Sequence, residues 1–147
     1  MKIKNIMCPV DFSTTSQAAI PQASTLAGKY GASLHFVHVY EAVFATPTWD
    51  GLPVEPMPAD LDLFEAKLAA IQPTSNSIEY RHKLLHGFPA SSLLQYAESH
   101  NIDLIVMATH GLTGLSRVLM GSVAESIVRK ATTPVLVVHT QDAVVPV

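Results

Sequence analysis

A single cysteine, Cys8, stands in 147 residues, so no internal disulfide can form. The opening residues Met1-Lys2-Ile3-Lys4-Asn5 lack the anatomy of a signal peptide, and with a lone thiol they set the expectation of a cytoplasmic protein. Charge is sparse: 14% of residues are Asp, Glu, Lys or Arg, with a formal net charge of -3. No basic cluster is visible, which excludes the usual electrostatic face of a DNA- or RNA-binding protein. No stretch approaches the roughly 20 apolar residues that cross a bilayer, so no membrane partner is expected. Neither Gly-x4-Gly-Lys-Ser/Thr nor Gly-x-Gly-x-x-Gly occurs, which sets aside P-loop NTPases and the common dinucleotide fingerprint. The seven histidines show no metal-site spacing. His35 and His38 are three apart on a strand and face opposite ways; His82 and His86 share a face but lie roughly 13 Å apart at about 3.3 Å per residue. Cys8 reads as a small core hydrophobe rather than a reactive thiol.

What is present is an alternation of short apolar runs and amphipathic stretches. Residues 3–10, 33–40, 77–85, 102–107 and 134–139 read as strands, the third alternating apolar and charged like an edge strand. One helix is expected from the Ser13/Thr14 region to about Tyr30, with Ala19, Ile20, Ala23, Ala27 and Tyr30 along one stripe. Thr14 with Gln17 fits a capping box and Ser13 is a rival N-cap; Pro21 should kink the helix, and Gly31 is a left-handed stop. A second helix runs over 60–72, with Leu61, Phe64, Leu68 and Ile71 on one face. A third opens at Pro89 and closes near Asn101, and a fourth covers 122–130. Residues 42–59 hold Pro47, Pro53, Pro56 and Pro58 and read as a surface insertion, in which Trp49 is either a partner contact or a cover for a ligand. Residues 1–140 form one α/β domain with a parallel sheet covered on both faces, followed by a tail, 141–147. In such sheets ligands bind beyond the C-terminal strand ends.

The most informative segment is 107–122, which leaves a strand and ends at a helix start. Ser122 with Glu125 fits a capping box, and Arg129 and Lys130 close the helix with the favourable dipole sense. The first N–H groups of a helix lack partners and attract anions, polyphosphate among them. Ala108, Gly111, Gly121 and Ser122 carry little side chain, so phosphate could approach the main chain; Gly111 and Gly114 also permit positive φ. The plainer reading, in which these glycines serve only turns and caps, stays open on physical grounds alone.

The segment Ala108-x2-Gly111-x9-Gly121-Ser122 resembles the Gly-x2-Gly-x9-Gly-Ser/Thr signature of the universal stress protein family. The resemblance extends to Val10-Asp11-Phe12-Ser13, His38-Val39, Gly87-Phe88-Pro89-Ala90, Asp103-Leu104-Ile105-Val106-Met107 and Pro134-Val135-Leu136-Val137-Val138. It implies a Rossmann-like five-stranded parallel sheet in the order 3-2-1-4-5. It also implies an ATP-binding sensor or regulator of stress physiology with slow or no hydrolysis, with or without Mg. By the same resemblance Pro9, Val10 and Asp11 wall the adenine and ribose, Val39 packs on adenine, Met107 and Ala108 lie by the ribose, and Gly111, Gly121, Ser122, Val123 and Ala124 wrap the phosphates, the Ser122 hydroxyl donating directly. Asp11 also reads as a helix cap, and Val39 and Met107 as plain core. Ala108 departs from the family glycine, which matters if that position needs positive φ. The family's other branch lacks the signature and binds no nucleotide, so a dimeric interaction module with an empty pocket is the rival reading. A slow ATPase is a third, with His110 as base or phosphate contact and Arg117 near the γ-phosphate.

With the order 3-2-1-4-5 the fifth strand is an edge. Val135-Leu136-Val137-Val138 has no charge to blunt it, so a homodimer through this edge is expected. ATP or AMP and a regulatory protein partner complete the expected set.

Overall fold

A computed structural model describes residues 1–41, 50–51, 60–109 and 121–139. The elements in chain order are β1 (Asn5–Pro9), α1 (Thr14–Gln17), α2 (Ala19–Tyr30), β2 (Ser33–Tyr40), α3 (Leu61–Ala69), β3 (Tyr80–His86), α4 (Pro89–Ser99), β4 (Leu104–Thr109), α5 (Ser122–Lys130) and β5 (Val135–His139). The five strands form one sheet in the order β3-β2-β1-β4-β5, and every pairing is parallel.

Strand parity sorts the core into two layers. Ile6, Cys8, Leu34, Phe36 and Val106 face Ala19, Ala23 and Ala27 of α2 and Leu68 of α3. Met7, Val37, Ile105 and Met107 face Leu93, Tyr96 and Ala97 of α4 and Ala124 and Ile127 of α5. Phe36, Ile6, Met7 and Leu34 are among the largest fully buried side chains, each contributing roughly 1.5–3 kcal/mol of burial. Alanines along α2 let that helix approach the sheet closely. Tyr30, expected on the same stripe, is 47% exposed, and Leu61 at the start of α3 is also exposed.

The helix expected from about 13 to 30 is two helices. Pro21 has no N–H and its ring would strike the carbonyl of Gln17 in a continuous helix. The chain breaks at Ala18 instead, which puts Pro21 in the first turn of α2, where a missing donor costs nothing. Of the two caps considered for α1, Ser13 is the one formed: its Oγ accepts from Ser16 N–H at 3.1 Å. Gly31 ends α2 at φ 62°, and Asn101 follows α4 at φ 50°, both left-handed as C-terminal stops require. Strands β3 and β4 begin later than their apolar runs, at Tyr80 and Leu104; Ile78 and Ile102 are buried but lie before the ladders.

At the N-terminal ends of the strands, the Asp103 carboxylate accepts from the N–H groups of Lys4 (2.8 Å) and Asn5 (3.0 Å), tying the start of β1 to the approach to β4. Among the described residues, no helix is long and apolar enough to cross a membrane.

Candidate functional site

A cavity of ≈ 180 Å³ opens at the C-terminal ends of β1, β2 and β4. Pro9, Val10 and Asp11 form one wall, Val37, His38 and Val39 a second, and Met107 and Ala108 a third. Gly121, Ser122, Val123 and Ala124 close one end, and Pro89 and Leu93 of α4 with Ser16 of α1 complete the lining. The structure thus gathers ten of the residues singled out in the sequence around one space. Gly111 lies outside the described residues, as do His110, Gly114, Arg117 and Trp49, most of the 42–59 insertion and the 141–147 tail. Ser16, Val37, His38, Pro89 and Leu93 were not singled out as lining. Val37 shares its parity with Val39, and the Gly87-Phe88-Pro89 turn follows β3 at the same rim; those two signals were legible.

The α5 end is built differently from the capping box expected of Ser122. Gly121 is the N-cap, in ordinary extended conformation (φ −56°, ψ 153°), and no side chain caps the helix. Ser122 is the first helical residue and is exposed. Glu125 donates its N–H to the Gly121 carbonyl at 2.9 Å, while its carboxylate turns down the helix to accept from Arg129 at 2.7 Å. That pairing draws Glu125 away from a reach back to the helix start. The N–H groups of the first turn, with the positive end of the helix dipole, therefore face the cavity end without a side-chain cap, a setting suited to an anion.

Ala108 sits within β4, opposite Val138 of β5. Positive φ among the described non-glycine residues is confined to Phe12 and Asn101, so Ala108 demands no glycine. The departure from the family pattern has no backbone consequence at that position.

Asp11 serves the turn that follows β1. Its Oδ1 accepts from the Ser13 N–H at 2.9 Å and from the Ser13 hydroxyl, which orients the cap of α1. Asp11 N–H in turn donates to Ser16 Oγ at 3.2 Å. His38 is buried, and its Nδ1–H donates to the Val10 carbonyl at 2.8 Å. Because a carbonyl can only accept, the proton is on Nδ1. Val10 N–H donates to the Val37 carbonyl at 2.9 Å, so the Val10 wall is held from both sides.

The titratable groups buried elsewhere have structural settings. His35, on the other sheet face from His38, bonds Tyr96 Oη through Nδ1 at 2.8 Å, and its Nε2 is buried without a partner. Burial, reinforced by the charge of Arg81 and by His100, pulls its pKa down to about 4. Burial raises that of Tyr96. Cys8 is fully buried, and burial pushes its thiol up to about 12. Among the described residues no group of three or more His, Cys, Asp or Glu is placed to hold a metal ion.

Comparison with known proteins gives a consistent picture. Residues 2–139 match the model of the universal stress protein family. A universal stress protein from Methanocaldococcus jannaschii is 34% identical over 142 residues, covering 92% of this chain and 81% of that protein. The structure of the universal stress protein UspA from Lactobacillus plantarum superposes with a TM-score of 0.69 at 27% identity, over 94% of this chain and 99% of that one. A universal stress protein solved in complex with cAMP shares the fold, with a TM-score of 0.64 at 24% identity, over 96% of this chain and 100% of that one.

Proposed function

The chain belongs to the universal stress protein family, and on that premise we propose that it binds ATP in the cavity at the β1, β2 and β4 ends and acts as a regulator of stress physiology. The observation that carries the reading is one space with two unlike ends. Apolar Pro9, Val10, Val39 and Met107 suit a purine, and the uncapped start of α5 suits phosphate oxygens. Gly121 has no side chain to stand between phosphate and main chain, and the exposed Ser122 hydroxyl is a further donor. Asp11, which lines the same cavity, would accept from ribose hydroxyls. ATP supplies the charge that fills the helix end, and Mg, when present, would take its ligands from phosphate and water. A relative's cAMP complex is in keeping with a nucleotide of the adenine class.

Slow or absent hydrolysis is part of the proposal. Fast phosphoryl transfer needs a positioned base and cationic clamps. The two residues considered for those roles, His110 and Arg117, lie outside the described residues. The nucleotide would then act as a signal, its occupancy read by a protein partner. The reading of an empty interaction module rested on Ala108, which now gives it no support.

The protein acts as a homodimer joined along β5. The strand is a sheet edge, and Leu136 on it is 40% exposed.

The test of the nucleotide reading is direct. Purified protein is denatured and the supernatant chromatographed, and the stripped, refolded protein is titrated with ATP by calorimetry. Released adenine nucleotide or saturable ATP binding is expected; absence of both removes the reading.

A further inference from the structure

Phe12 has φ 67°, in the left-handed region, where a bulky side chain is an outlier. Such a conformation persists only where its surroundings impose it. The surroundings here are specific. The Phe12 ring lies 4.3 Å from the His38 ring, centroid to centroid, and stacks 6.3 Å from Phe64 of α3. Lys67 Nζ stands 5.8 Å over its face. The His38 ring that supports Phe12 is the same ring whose Nδ1–H holds the Val10 carbonyl. On the other side of Phe12, Ser13 is held by Asp11.

Phe12 does not line the cavity, yet both residues before it do. We infer that Phe12 is a positioning residue: its left-handed backbone, held by a ring packed against the contacting pair His38 and Phe64, aims the wall formed by Val10 and Asp11 at the base and ribose. This inference rests on the nucleotide reading of the cavity. The mechanical reason is local. A change of Phe12 to negative φ swings the chain before it relative to Ser13, so Asp11 can no longer both stand at the cavity rim and accept from the Ser13 N–H.

The test compares wild type, Phe12→Asn and Phe12→Val, with dissociation constants for AMP and for ATP measured by calorimetry and folding checked by thermal denaturation. Asn tolerates left-handed φ and a β-branched Val resists it. Phe12→Asn is expected to bind within about threefold of wild type, and Phe12→Val about tenfold or more weakly, by the same factor for AMP as for ATP. If Phe12→Val does not fold, Phe12→Ala carries the same expectation. Equal affinities in the Asn and Val variants overturn the inference while leaving nucleotide binding intact. So does a loss confined to ATP, which would put the effect at the phosphate end. A wild-type protein that binds neither AMP nor ATP removes the nucleotide reading and this inference with it.

Discussion

Ala108 stands at the first glycine position of the Gly-x2-Gly-x9-Gly-Ser/Thr pattern that the segment resembles, and its strand geometry turns that difference into a prediction. Ala108→Gly should leave ATP affinity within about twofold of wild type and lower stability by about 0.5–1 kcal/mol, because glycine within a strand loses more backbone entropy on folding. Calorimetry and chemical denaturation measure the two effects. His35 carries a pH dependence of definite sign. Its folded pKa, about 4, lies below the ordinary 6.5, so the unfolded chain binds the extra proton first. The stability from keeping this imidazole neutral is complete above pH 6.5 and declines as pH falls toward 4, by about 3 kcal/mol across the interval. His35→Gln, which cannot titrate, should flatten that decline in urea denaturation curves taken from pH 7 to pH 4. Arg81 and His100 face the same ring, and both disfavour its protonation. At Cys8 the expectation is chemical inertness: iodoacetamide at pH 8 should leave the native thiol unmodified and alkylate it only after denaturation. Much at this scale was legible in the sequence: Cys8 read as a small core hydrophobe, and strand parity foretold that His35 and His38 parted to opposite faces. Phe12 was not legible. Nothing local marks an aromatic residue for positive φ, because the conformation is imposed by His38 and Phe64, which lie far away in the chain.

Among the elements, α5 holds the chemistry most economically. Gly121 has an ordinary negative φ, so a side chain there meets no backbone strain. Gly121→Val should fold with a stability loss of about 1 kcal/mol, the usual scale of a poor N-cap, yet weaken ATP binding about tenfold or more by crowding the phosphates. Calorimetry of the folded variant decides it. The boundaries of the elements show where sequence pattern stops being informative. The five strands were evident because short apolar runs, and in β3 an apolar-charged alternation, are separated by amphipathic segments. The split at Ala18 was not, since a helix interrupted by Pro21 and a helix that begins just before it have nearly the same pattern. The sequence Ser122-x-x-Glu125 matched a capping box, but Glu125 had a competing partner four residues on in Arg129, and that choice depends on where the helix begins. Ten members of the candidate site came from the family likeness, and they line one cavity because each stands at a strand end or helix start on one rim.

The molecule as a whole presents two sheet edges, β3 and β5, of different character. Arg81 and Lys83 charge the first, while the second shows the apolar Leu136. Sedimentation velocity at micromolar concentration should therefore find a dimer in the wild type and a monomer in Leu136→Lys, with ATP binding retained in both. The order of the strands came from family likeness, because pattern alone does not say which neighbour a strand chooses.

The Asp103 clasp on Lys4 and Asn5 has a practical corollary. It holds the start of the first strand at the end of the sheet remote from the cavity, so a fluorophore or affinity handle joined ahead of Lys4 leaves from the strand end opposite the cavity. Surfaces and sensors made from this protein are best tethered by the head of the chain, leaving the mouth of the cavity turned to solution.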